Sequence, residues 1–219
     1  MPEPLSVGRC AQAMLAHVAG RFDEAERRYA EACAQMARHG SLHADGIDTL
    51  ATVTIRASQH RMAEYAPAVQ ELDARFGPLA VDARAVALAA AGRLEEAGAV
   101  LDGAPPLRPD FYFSVFATLR AMAVVAVGRR QPAEELYAAL LPVSGQLAGA
   151  ASTSLAMRPV AHTLAELARL LGRREAVAEH LDEAVAVARA WEAPRWEAEA
   201  LAVPRPAPRL GLTGQTRTR

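Results

Sequence analysis

Apolar side chains recur every three or four residues through most of this chain, which is the spacing that places them on one face of an α-helix. The runs are separated by short turn signals, in most cases a small or apolar residue followed by Gly and Arg. This signal and the amphipathic run after it recur in segments 19–32, 91–104, 127–140 and 171–184, with a weaker copy at 57–70. The pattern predicts an all-α protein built from helix hairpins, with no β-strand.

Aligning the copies on their turns gives the turn residues Gly20, Ser58, Gly92, Gly128 and Gly172. Seven residues before each turn stand Ala13, Ala51, Ala85, Ala121 and Ala165, and five residues after each turn stand Ala25, Ala63, Ala97, Ala133 and Val177. Small side chains let the two helices of a hairpin approach closely, so we expect the hairpins to cross at these positions. Pro67 falls inside the second helix of copy two and predicts that this helix is kinked or starts late.

Three further stretches lie outside this repeat. Residues 144–157 are mostly small and polar, and they predict a loop inserted between the fourth and fifth hairpins. The stretch around Trp196 resumes the pattern for one more helix, which we expect to cap the array. Residues 204–219 combine prolines and arginines without an acid and predict a disordered tail, which leaves 1–203 as the folded domain.

The repeat resembles the tetratricopeptide repeat, a helix–turn–helix with small residues at two crossing positions and a large residue between hairpins. Nine residues after each turn, that third position holds Tyr29, Pro67, Leu101, Tyr137 and Leu181. The sequence departs from the family where Ala13 and its equivalents replace Gly. The resemblance implies a right-handed solenoid of about five repeats plus a capping helix.

A narrower resemblance is carried by residues 20–27, 133–146, 159–173 and 191–202. These segments look like the C-terminal tetratricopeptide region of large ATP-binding transcriptional regulators of the LuxR/MalT type. In that family the helical region senses or relays a signal, while separate domains hydrolyse ATP and bind DNA. This sequence has no Walker loop and no helix-turn-helix of the DNA-binding kind, so the resemblance implies only a sensing or docking role.

Composition narrows the classes of partner. The formal net charge is −1, which gives no electrostatic reason to expect direct binding of nucleic acid or of a membrane. Cys10 and Cys33 have no zinc-motif spacing and the six histidines are not clustered, so we expect neither a metal nor a cofactor. The start of the chain lacks the features of a signal peptide and no apolar run is long enough to cross a membrane, which predicts a cytoplasmic protein.

In tetratricopeptide arrays the first helices of the hairpins line a concave surface. Helical spacing places one set of side chains on that face: Met14, His17, Asp45, Asp48, Thr52, Asp82, Met122, His162, Glu166 and Arg169. The predicted groove is acidic near hairpins two and three and apolar near hairpin four, which suits a peptide segment or an amphipathic small molecule. Of the aromatic cluster Phe111, Tyr112, Phe113 and Phe116, we expect at least two members in the core, with any remainder at the rim of the groove.

Three interpretations follow from the residues. The first is a non-catalytic binding or regulatory module that recognises a protein segment or a small molecule in its groove. The second is a small enzyme that uses the groove as a reaction pocket, with His162, Glu166 or Asp48 as acid–base groups. The third is an assembly component that forms a homodimer through an exposed terminal hairpin. An open groove favours the first, and a deep pocket with convergent titratable groups favours the second.

Overall fold

The computed structural model of this protein describes residues 3–67 and 80–205, and within these ranges all regular structure is helical. No β-strand occurs in the described residues, where a single isolated antiparallel bridge joins Leu147 to Pro159. The all-α prediction is confirmed. The described α-helices are α1 (Glu3–Val18), α2 (Phe22–Arg38), α3 (Ala44–Ser58), α4 (Met62–Tyr65), α5 (Val81–Ala90), α6 (Leu94–Asp102), α7 (Phe113–Val127), α8 (Arg130–Leu140), α9 (Val160–Leu171), α10 (Arg174–Ala190) and α11 (Pro194–Ala202).

Consecutive helices pack as hairpins, most tightly α1 on α2, α5 on α6 and α9 on α10. The second helix of each of these pairs also contacts the helix that follows it, as α2 contacts α3, α6 contacts α7 and α10 contacts α11. In the middle of the chain the first helices stack on one another, with α7 between α5 and α9. The short turns within the hairpins make the paired helices antiparallel.

Four of the hairpin turns contain a glycine in the left-handed conformation. Gly20, Gly92, Gly128 and Gly172 have φ angles of 77, 77, 81 and 80°. A residue with positive φ ends a helix and lets the chain reverse, and glycine adopts it without the clash that a Cβ atom would cause. The sequence prediction for these four turns is therefore correct.

The remaining turn differs from its prediction. The residue with positive φ is His60, at 58°, whereas Ser58 is still in the last turn of α3. Copy two is therefore shifted by two residues relative to the sequence alignment, and Ala63, which was expected at a helix crossing, is exposed. Hydrogen-bonded Arg–Glu pairs three residues apart confirm the new register, because Arg61–Glu64 repeats the pairs Arg21–Glu24 and Arg93–Glu96.

At the other four turns the predicted crossing positions are buried. Ala13, Ala85 and Ala121 are completely inaccessible, and so are Ala25, Ala97 and Ala133 on the second helices. In the last copy Ala165 and Val177 are 2% and 1% exposed. Since a helix crossing without room for a larger side chain requires Ala, the alanine-rich composition reflects close packing between helices.

The 144–157 segment is built into the core. A short 3₁₀-helix, Leu141–Val143, directly precedes the segment, and another, Ala150–Ser152, lies within it. Leu147, Leu155 and Ala156 are inaccessible and join the hydrophobic cluster formed around α1–α3, whereas Ala148 and Met157 join the cluster around α5, α7 and α9. The segment therefore connects the two main hydrophobic clusters, although its composition predicted a loop.

The first hairpin and the last helix share one hydrophobic cluster. Trp196 of α11 is 2% exposed and its indole ring lies edge-on to the imidazole of His17, with 5.6 Å between centroids. Arg195 donates a hydrogen bond to the carbonyl oxygen of Ser58 at 2.7 Å. The Tyr29 hydroxyl donates to the carbonyl oxygen of Ser154 at 2.7 Å. These contacts join residues more than 120 positions apart and bring the two ends of the described chain together.

Three smaller expectations concern α4, the tail and membrane spans. Helix α4 was expected to be kinked at Pro67 or to start late. It begins at Met62, directly after its turn, and ends at Tyr65, so it neither starts late nor extends to Pro67. The predicted disordered tail is 204–219, and its residues from 206 onward lie outside the described ranges. Arg205, in the described part, forms an ion pair of 2.8 Å with Asp182. None of the helices described is long and apolar enough to cross a membrane.

Candidate functional site

A groove of about 1480 Å³ opens where the N-terminal ends of α3, α5 and α7 come together. Its other walls are the start of α1, the loop between α2 and α3, residues 105–112 and residues 152–154. We refer to this cavity as the groove. It lies at the ends of the first helices, and not along their length where the sequence interpretation placed a binding surface.

Exposed apolar side chains line the groove. Leu42 is 94% exposed, Phe111 is 59% exposed and Val7 is 48% exposed, and all three are on its walls. Half-buried Ile47 and Leu107 extend the apolar lining. A cluster of uncovered large apolar groups on one concavity is the usual mark of an interaction site, because water contact with such groups is unfavourable.

The wall that α5 and α7 form carries a buried ion pair. Arg120 donates from Nε to Oδ1 of Asp82 at 2.7 Å and from a terminal nitrogen to Oδ2 at 3.2 Å. Burial raises the pKa of Asp82, while the hydrogen bonds and the charge of Arg120 act in the opposite direction. The pair fixes α5 against α7 and leaves little net charge at this point of the groove.

A second, smaller cavity of about 240 Å³ lies where α3, α7, α9 and α11 meet. We refer to it as the inner pocket. Met122, Met157 and Trp196 are the largest apolar side chains that line it, and His60 and Glu199 supply part of its polar lining. His60 Nε2 lies 3.0 Å from Glu199 Oε1, so an ion pair forms whenever this histidine is protonated.

Glu166 also lines the inner pocket and is bound by Arg158. Two nitrogens of the Arg158 guanidinium donate to the two carboxylate oxygens of Glu166. Burial alone raises the pKa of Glu166, but the charge and hydrogen bonds of Arg158 hold it below its usual value. His162 Nε2 is 3.9 Å from the Glu166 carboxylate, and burial together with Arg158 lowers the pKa of His162 to about 4. His162 is therefore neutral at pH 7.

Several residues predicted to line an open concave face are buried in the core. The prediction that they are exposed is wrong for Met14, His17, Asp82 and His162, which are 5%, 1%, 4% and 5% exposed. His17 contacts the Ser58 hydroxyl at 3.0 Å and the rings of Phe22 and Trp196. Met14 shares a hydrophobic cluster with Leu147 and Trp196, which are on the 144–157 segment and on α11.

The other predicted residues are distributed over separate surfaces. Asp45 is exposed and lines the groove, while Asp48 is exposed outside it, with a pKa raised by partial burial and by the charge of Asp45. The Thr52 hydroxyl donates to the Asp48 carbonyl oxygen at 2.9 Å. Arg169 is exposed and donates to the carbonyl oxygen of Pro204 at 2.9 Å. The ten residues therefore do not form one site: two line the groove and two line the inner pocket.

The most exposed residues of the groove could be predicted from the sequence only in part. Any exposed member of the aromatic cluster was expected at the rim of the concave face. Phe111 is exposed, but it lines the cavity at the ends of the first helices. At least two members were expected in the core, but none of the four is fully buried: Phe113 and Tyr112 are half-buried and pack against the two main hydrophobic clusters. Tyr112 and the half-buried Phe116 also line the groove. Leu42 and Leu107 carried no signal, because each is a single leucine in an irregular segment.

The described side chains suggest no metal site. No group of three or more His, Cys, Asp or Glu residues within the described ranges is arranged to hold a metal ion. Cys10 and Cys33 are free and buried, and burial raises the pKa of both thiols. Neither is therefore a reactive thiolate at neutral pH.

Comparisons with protein-family models, with curated proteins and with solved structures found no match to this chain.

Proposed function

We propose that this protein is a non-catalytic binding module that receives an apolar segment of another protein in the groove. The observation that carries the proposal is that Leu42, Phe111 and Val7 are all exposed to solvent on the walls of one cavity. Covering a fully exposed leucine or phenylalanine contributes about 1.5–3 kcal/mol, so these side chains can supply most of the affinity for a partner.

The size of the groove favours a protein segment over a small molecule. Pockets for small molecules usually measure about 300–1,000 Å³, and the groove exceeds this range at about 1480 Å³. Its lining is apolar with a few charged groups, and Asp82 and Arg120 neutralise each other. We therefore expect recognition by apolar contacts, with charged groups setting the orientation of the segment.

The tetratricopeptide resemblance remains a proposal about origin. Glycine turns with positive φ and inaccessible alanines at the predicted crossings support helix-hairpin repeats of this kind. We propose that the chain is related to the sensing region of LuxR/MalT-type regulators and that it acts by docking. A solenoid of five repeats belongs to the same proposal, as does a cytoplasmic location.

The enzyme interpretation has less support. His162 is buried and lines neither cavity, and Asp48 lines neither cavity. Glu166 is bound by the guanidinium of Arg158, which lowers its basicity. A general base needs an accessible group whose pKa is near the working pH, and none of these three groups combines both properties.

The proposal is tested by selecting peptides against the wild-type chain from a random library displayed on phage. Binding of the selected peptide is then measured by titration calorimetry to the wild type and to Leu42→Asp and Phe111→Asp. We expect each substitution to weaken binding at least about tenfold, because it places a charge in an apolar contact. Leu94→Asp is the matched control, since Leu94 is 42% exposed and does not line the groove.

The binding surface lies elsewhere if the two groove variants bind the peptide as tightly as the wild type does. The same conclusion follows if the Leu94→Asp control loses as much affinity as the groove variants. Thermal unfolding of all the variants separates loss of binding from loss of fold. Because Leu42 and Phe111 are exposed, their substitution should leave the unfolding free energy within about 0.5 kcal/mol of the wild type.

A further inference from the structure

One wall of the groove is a proline-rich segment whose sequence excludes a helix over most of its residues. Pro105, Pro106 and Pro109 fix their own φ angles near −65°, and the residue before each proline is pushed out of the α region. The structure has no helix or strand between α6 and α7 in this stretch, and residues 105–108 line the groove. The Leu107 side chain packs against the hydrophobic cluster around α5, α7 and α9, which fixes the position of the segment.

The backbone of Leu107 has unused hydrogen-bonding capacity. Neither its N–H nor its C=O has a partner among the described residues. Water can satisfy both groups while the groove is open. An occupant that covers the groove removes this water, and an unpaired buried backbone group costs about 1–3 kcal/mol.

This cost distinguishes between two shapes of occupant. A helix uses its own N–H and C=O groups internally, so a bound helix would leave those of Leu107 unpaired. An extended segment carries unpaired groups of its own, and one of its residues can exchange two hydrogen bonds with Leu107 as in an antiparallel pair. Alternate side chains of the bound segment can then contact Leu42 and Phe111, which line the same groove.

The charged side chains on this wall indicate which kind of residue of the bound segment lies next to the one that pairs with Leu107. Arg108 is exposed, lines the groove and forms no ion pair with any residue that the structure describes. Arg120 is already bound by Asp82. The carboxylate of Asp110 accepts a hydrogen bond from the backbone N–H of Tyr112 at 2.8 Å. Of the two arginines that line the groove, Arg108 is therefore the one that can pair with an acidic side chain of the occupant.

We propose that the groove binds its partner as an extended segment that pairs its backbone with Leu107 and places an acidic residue against Arg108. This inference rests on the proposed function and specifies the conformation and the charge of the segment. Apolar side chains at alternate positions of the segment cover Leu42 and Phe111, so the recognised sequence combines apolar residues with a neighbouring Asp or Glu.

The experiment uses the full chain and the phage-selected peptide. Each backbone amide of the peptide is methylated in turn, which removes one hydrogen-bond donor without removing a side chain. We expect one or two positions at which methylation weakens binding at least about tenfold, the cost of an unpaired group. Arg108→Glu should weaken binding of the acidic peptide about tenfold, and replacing the peptide's acid by Lys should restore affinity for that variant. Arg174→Glu, an exposed substitution outside the groove, is the control.

The outcomes separate this inference from the proposed function. If Leu42→Asp abolishes binding but no methylated amide weakens it, or if the bound peptide is helical by circular dichroism, the extended mode is overturned and groove binding stands. If the peptide with Lys in place of its acid binds Arg108→Glu no more tightly than the acidic peptide does, Arg108 is not the partner of the acidic residue. If Leu42→Asp has no effect on binding, both proposals fail.

Discussion

Burial of His17 makes the stability of this protein sensitive to acid. The ring is 1% exposed and lies between Ser58, Phe22 and Trp196. The Ser58 hydroxyl donates to the carbonyl oxygen of Thr54, so His17 Nε2–H is the donor to Ser58, and Nδ1 has no hydrogen-bond partner. Protonation at Nδ1 would place a charge with no acceptor in the core, and burial accordingly lowers the pKa of His17 to about 3.

The linkage between proton binding and folding sets the direction and the magnitude of this pH dependence. The folded-state pKa is lower than the value of about 6.5 in the unfolded chain, so below pH 6.5 the unfolded state binds the additional proton. The contribution of His17 is complete well above pH 6.5 and declines as the pH falls from about 6.5 toward 3. Between pH 7.5 and pH 5.0 the loss amounts to about 2 kcal/mol, a large part of a typical unfolding free energy of about 5–15 kcal/mol.

Urea unfolding followed by circular dichroism at pH 7.5 and at pH 5.0 measures this loss. The comparison is between the wild type and His17→Gln, which keeps a polar side chain of similar length but does not titrate. We expect the stability difference between the two pH values to be about 2 kcal/mol smaller in the variant, whatever its absolute stability. His39→Gln, at an exposed position, is the control. An equal pH dependence in the wild type and His17→Gln would show that His17 is not held neutral by burial.

Three further predictions concern packing and the buried ion pair. Gly149→Ala should lower the free energy of unfolding by about 2–5 kcal/mol, because its φ is 85° and a Cβ there would lie 2.3 Å from Val115 Cγ2. Gly128→Ala, at φ 81° with no atom within 4 Å of the added Cβ, should lower it by only about 1–2 kcal/mol. Equal melting temperatures of the two variants would contradict the contact between residue 149 and Val115. Ala85→Leu should destabilise the protein by about 1–3 kcal/mol in urea unfolding because Ala85 is inaccessible, and an unchanged midpoint would disprove the close crossing of α5. Arg120→Met should lower the free energy of unfolding by about 3 kcal/mol, because it leaves the Asp82 carboxylate buried without its partner. Adding Asp82→Asn should recover part of that loss. If the effects of the two substitutions are additive in this double-mutant cycle, the pair is not coupled.

The sequence determined the local structure of most of the chain. Glycine followed by arginine marks a helix end, and the alanines at fixed distances from Gly20, Gly92, Gly128 and Gly172 are buried where the repeat placed them. These features are local, since a helix, its end and its narrow crossing depend on residues within one or two turns. The same reasoning failed at His60, because histidine is not the residue that usually marks a left-handed turn.

The tertiary structure decided where the surfaces are. The 144–157 segment has the composition of a loop, yet Leu147 and Leu155 are inaccessible because they fill the space between two helical clusters. Trp196 meets His17 across almost the whole length of the chain, which buries a histidine expected on an open face. The groove joins Leu42 to Phe111 and Leu107 from irregular segments. Hydrophobic periodicity reports which side of a helix is covered, but contacts between distant segments decide what covers it and which apolar groups stay exposed.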